Sequence, residues 1–141
     1  MEKTWNIRSF VLSKLFGIIL VSISLFLAAS LISYSPSDPF YGNLNSDQEK
    51  INNILGFYGS FISGTFYVFF SYPSLIFPLF FLVTGIKKII NIKTSLFIIH
   101  FVCFIVGTSL LSFLLSYFNY PGGVVGGVIL DFYKFNLLDL L

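Results

Sequence analysis

His100 and Cys103 are the residues whose chemistry invites suspicion first: one imidazole and one thiol, three positions apart in an uncharged apolar stretch. On a helix that spacing puts both on one face, where they could hold a metal ion or relay a proton. A tetrahedral zinc site needs three or four ligands. The chain has no second histidine and no second cysteine, and no acidic residue lies in another apolar span to complete the set. The plainer reading is a neutral histidine bonded to a backbone carbonyl or facing a neighbouring helix. A single cysteine also excludes an intrachain disulfide.

Other reagents are missing. No phosphate-binding GxxxxGK[ST], no HExxH and no serine nucleophile elbow occurs, and the glycine-rich "PGGVVGG" at 121–127 lacks the lysine a phosphate loop needs. No basic cluster is large enough for an autonomous nucleic-acid module. The expectation is no catalytic residue, no metal site, no cofactor and no direct nucleic-acid binding.

The elements that carry these residues are built for lipid. Apolar residues make up 56% of the 141, charged residues 10%, and the mean hydropathy is +0.90. A soluble domain uses about 25% charged residues to cover its surface. The bilayer is the solvent that fits this chain. Residues 11–32 form an apolar run whose only charge, Lys14, stands near its start. At 1.5 Å per residue the run reaches roughly 30 Å, enough for one crossing and too long for a cleaved signal peptide.

Residues 33–53 then carry Asp38, Asp47, Glu49 and Lys50 among prolines and asparagines, which reads as an aqueous loop. The next apolar block, 54–86, is too long for one crossing and too short for two. Pro73 divides it, which predicts an interfacial helix over about 54–70, then a kink and a crossing over about 66–86. A third crossing is expected over about 94–115. After the glycine-rich turn, residues 121–141 mix apolar positions with Asp131, Lys134 and Asp139, which predicts a short interfacial or partly inserted helix. The fold class expected is all-α, a polytopic helical membrane protein with three crossings.

Lys3, Arg8 and Lys14 flank the first crossing, and Lys87, Lys88 and Lys93 the link between the second and third. The 33–53 loop has three acids against one lysine. By the positive-inside rule the lysine-rich segments are cytoplasmic and the 33–53 loop is outside. Small residues recur four apart at Gly56, Ser60 and Gly64, and again as Gly122/Gly126 and Gly123/Gly127. That spacing lets helices approach closely in lipid, within the chain or between copies. At 122–127 a turn followed by a close contact is expected.

Read in order, these motifs resemble the N-terminal membrane domain of the FtsK/SpoIIIE family of bacterial DNA translocases. "LISYSPSDPF" is similar to that family's exit from its first crossing, with Ser33, Ser35, Pro36, Ser37, Asp38 and Pro39 as its signature. Gly56, Gly59, Ser60, Pro78 and Gly85 match the small-residue start, central proline and closing glycine of its second segment, and "PGGVVGGVILDF" its Gly-Gly stretch before the last crossing. Two positions depart: Gly64 stands where the family often has an acid, and Ser71 where it often has glycine. The family's domain usually has four crossings, followed by a cytoplasmic ATP-driven motor and a DNA-reading winged helix. This chain ends near the Gly-Gly turn, so the expectation is a fragment, a split product or a remnant, with the motor elsewhere. The resemblance implies a membrane anchor in cell division and chromosome segregation, with lipid, other division proteins or sister copies as partners. A small transporter or channel subunit is the rival reading, but it would place more polar groups at mid-membrane than His100 and scattered hydroxyls.

Overall fold

A computed structural model describes residues 7–40, 51–92 and 96–138. Trp5, Lys3, the charges at 47–50, Lys93 and Asp139 lie outside that range. So does the start of the expected third crossing. The described residues form five α-helices and no strand: α1 (Ile7–Ile32), α2 (Gly56–Phe70), α3 (Ile76–Ile89), α4 (Phe97–Tyr117) and α5 (Gly123–Leu138), with a 3-10 turn at Tyr72–Leu75 between α2 and α3. The molecule is an all-α helical membrane protein. Three stretches are long and apolar enough to cross a bilayer: Phe10–Ile32, Tyr72–Ile89 and Phe97–Tyr117. At 16 residues α5 spans only about 24 Å, short of a hydrocarbon core.

α1 packs along α3, and their approach is set by two glycines. A Cβ added to Gly17 would lie 2.8 Å from the Gly85 carbonyl oxygen, and one added to Gly85 would lie 2.9 Å from the Gly17 carbonyl oxygen. Seven residues further along α1, Ser24 Oγ donates to the Pro78 carbonyl at 2.7 Å. The pairs 17–85 and 24–78 make the two helices antiparallel. Leu20, Leu27, Leu31 and Phe77 form the apolar core beside this seam. Pro78 sits in the first turn of α3, where a helix has no intrahelical partner for its N–H in any case.

α2 joins this pair to α4 and α5. Near its start the Gly59 carbonyl accepts from Ser30 Oγ at 2.6 Å, and at its end the Phe70 carbonyl accepts from Ser112 Oγ at 3.3 Å. The helix therefore runs from the C-terminal end of α1 to the C-terminal half of α4. It ends at Ser71, which has φ 55° and ψ −130°, a backbone state that L side chains rarely adopt. Pro73, without an N–H, is the second residue of the 3-10 turn, and Ser74 braces it with Oγ donating to the Ser71 carbonyl at 2.6 Å.

α5 meets α4 through glycine. Gly122 and Gly126 lie against the Ser112 carbonyl and the Ser116 hydroxyl, with no room for a Cβ, and Gly123 takes φ 69° to turn the chain against the Phe69 carbonyl. Ten residues on, the Tyr133 ring still meets Phe113 and Tyr117, so α5 stays at the C-terminal end of α4 instead of following it down. Between α3 and α4 the contact is mainly aromatic: Phe104 packs on Phe77 and Phe80, and Phe80 on Phe97 and Phe101.

Candidate functional site: the clasp at the end of α1

The signature residues 33–39 leave α1 and fold back on it. Ser33 Oγ donates to the Ala29 carbonyl at 2.7 Å, which finishes the last helical turn, and the same oxygen accepts the Ile54 N–H at 3.2 Å. Asp38 is 1% exposed, a placement that a carboxylate tolerates only with its oxygens fully bonded. Its Oδ1 accepts from the Asn52 N–H at 2.9 Å and from Asn52 Nδ2 at 3.1 Å, and its Oδ2 accepts from the Asn53 N–H at 2.8 Å. Among the described residues no cation pairs with it; N–H groups meet the charge. A proline on either side, at 36 and 39, fixes the backbone that presents this carboxylate.

Asn53 continues the network inward. Its Nδ2 donates to the Ser30 and Ser33 carbonyls at 2.9 and 3.2 Å and to Ser63 Oγ at 3.3 Å, while Oδ1 accepts the Leu55 N–H at 3.0 Å, two residues into the approach to α2. Ser60 Oγ donates to the Pro39 carbonyl at 3.1 Å, and Ser35 and Ser37 bond each other at 2.8 Å. Tyr34 stacks on Tyr67 with centroids 4.4 Å apart. Burial raises the Tyr34 phenol above its ordinary value, so the ring stays neutral. The result is a clasp of about ten polar groups tying residues 30–40 of α1 and its exit to residues 52–63.

The small residues divide by location. Gly59 lies against the Asn53 side chain and Gly64 against the Phe40 ring, both without space for a Cβ, and Ser60 faces Pro39. All three therefore serve the clasp. Gly85 belongs to the α1–α3 seam and Pro78 to its far end; Gly122, Gly123 and Gly126 belong to the α4–α5 crossing. Gly56 starts α2 at φ 63°, and a Cβ on either Gly56 or Gly127 would meet nothing within 4 Å. A larger side chain at position 64 would collide with Phe40 in this backbone.

His100 and Cys103 are both exposed on α4. His100 Nδ1 bonds the Leu96 carbonyl at 2.7 Å, one turn back on its own helix. Among the described residues no group of three potential ligands comes together. The clasp itself can bind or position, but it holds no nucleophile poised beside a base.

The family is decided by the whole chain. The sequence pattern of the 4TM region of DNA translocase FtsK/SpoIIIE matches residues 11–137, from the first crossing through α5. The chain belongs to the FtsK/SpoIIIE membrane-domain family. No curated protein and no solved structure gives a match. The FtsK/SpoIIIE 4TM region is a membrane anchor, not a catalytic domain, and the geometry above fits an anchor: buried polar groups fastening helices.

Several residues of this FtsK/SpoIIIE domain escaped the sequence reading. Asn53 is the centre of the clasp, yet it reads as one loop asparagine among several. Gly17 is a single glycine in a long apolar run. Ser24, Ser30 and Ser112 read as scattered hydroxyls, although each is buried and bonded across a helix interface. The usable signal was a serine repeatedly interrupting runs of Leu, Ile and Phe, because an unpaired hydroxyl in lipid carries a cost.

Proposed function

We propose that this domain anchors a chromosome-segregating DNA translocase in the inner membrane of a dividing bacterium and holds it at the division septum. The family match over residues 11–137 carries the reading. Its work is positioning and assembly: the 33–53 segment, whose two described ends the clasp holds, meets other division proteins or sister copies. The motor, ATP and DNA belong to the family's other domains. The lysines of the α3–α4 link support a cytoplasmic location for that end and an external one for the clasp.

A fluorescent fusion of the chain tests the septal role directly. The expected outcome is a midcell band in constricting cells; an even membrane signal at all stages counts against it. Orientation has its own test. With Cys103→Ser as background, a cysteine at the exposed Ile90 should react with an impermeant maleimide only after the inner membrane is opened. Reaction in intact spheroplasts would reverse the topology without touching the anchor role.

A further inference from the structure

A groove of about 490 Å³ opens between α3 and α4. Its α3 wall is Ile76, Leu79, Phe80, Val83, Thr84 and Lys87, one continuous helix face. The α4 wall includes Phe97, His100 and Phe104. From Ile76 to Lys87 the face is about 16 Å long, the depth of one leaflet's hydrocarbon. The groove is graded along that length. Phenylalanine and aliphatic side chains line most of it, and Lys87, in the last turn of α3, brings an ammonium group to one end.

An ammonium group at the end of a leaflet-deep apolar slot suits a lipid. Among the described residues no carboxylate pairs with Lys87, and the link that follows α3 adds only further lysine.

We propose that the α3–α4 groove is a binding site for an anionic phospholipid. An acyl chain lies along Phe80, Val83 and Phe104, and Lys87 holds the phosphate. A basic residue at the membrane surface favours an anionic lipid about five-fold. The site thus selects the lipid class rather than merely being wetted by it. It depends on the chain being a membrane protein and not on its septal role or its orientation.

Native mass spectrometry of the full chain released from detergent, with equal phosphatidylglycerol and phosphatidylcholine, tests this. The expected result is about a five-fold excess of phosphatidylglycerol adducts. Lys87→Gln should abolish that preference, and Val83→Trp, which fills the groove, should reduce adducts of both lipids. Lys14→Gln, which removes a cation outside the groove, should leave the preference intact; thermal unfolding in detergent confirms that each variant is folded. Equal loss in Lys14→Gln and Lys87→Gln would mean general surface electrostatics and overturn the site. Full competition by chainless glycerol phosphate, or no preference in the parent chain, would overturn it too.

Discussion

Asp38→Ala removes the acceptor for three N–H groups at once, and the structure sets the size of the effect. The Asn53 N–H is buried, so losing its partner leaves an orphaned donor at a cost of about 1–3 kcal/mol. Asn52 is exposed, so water recovers most of what its two donors lose. The net destabilisation is about 2–4 kcal/mol, large for a single loop substitution. For a chain of this size that corresponds to a melting temperature lower by roughly 6–15 °C. Asp38→Asn should fall between parent and alanine variant, since its amide oxygen serves one donor while its NH2 faces another. The assay is thermal unfolding in mild detergent followed by circular dichroism, in a cycle with Asn53→Ala. Both side chains hold the 52–54 segment on α1, so the double variant should lose less than the sum of the singles by about 1 kcal/mol. An alanine variant melting within 2 °C of the parent, or strict additivity with Asn53→Ala, would show that the clasp does not act as a unit.

Two further substitutions examine the helix seams. Gly17→Ala drives a methyl group into the Gly85 carbonyl and Ile89, and should cost about 1–3 kcal/mol, whereas Gly107→Ala on the open face of α4 should stabilise by about 0.5–1 kcal/mol in the same measurement. At position 71, Ser71→Gly should be more stable than Ser71→Ala by about 1–2 kcal/mol. Both variants lack the hydroxyl, so their difference reports the strain of a Cβ at φ 55° net of glycine's greater unfolded-state entropy. Equal stability of the two would refute that strain.

The membrane class and the helical fold were legible because they follow from long-range composition: uninterrupted apolar runs have one good solvent. The division at Ser71–Pro73 could be read from one residue that lacks a donor. The partners within the fold could not. Asp38 and Asn53 are fifteen residues apart, and nothing local in either segment says that a carboxylate in one turn will cap the backbone of the next. Gly17 and Gly85 are sixty-eight positions apart, and each alone is a mild helix defect; their meaning exists only as a pair. Ser71 reads in the sequence as one more hydroxyl before a proline; its positive φ, which glycine accepts and serine resists, appears only in the backbone.

The buried serines have a consequence for how the molecule comes together. A lone helix entering lipid can turn each hydroxyl back onto a carbonyl of its own preceding turn, so Ser24, Ser30 and Ser112 do not hinder insertion. On docking, each exchanges that internal acceptor for one on another helix. The exchange is nearly isoenergetic, so these groups add little adhesion but penalise every misaligned register. Insertion is thus governed by greasiness and final alignment by hydroxyl geometry, two steps that separate sets of residues can tune independently.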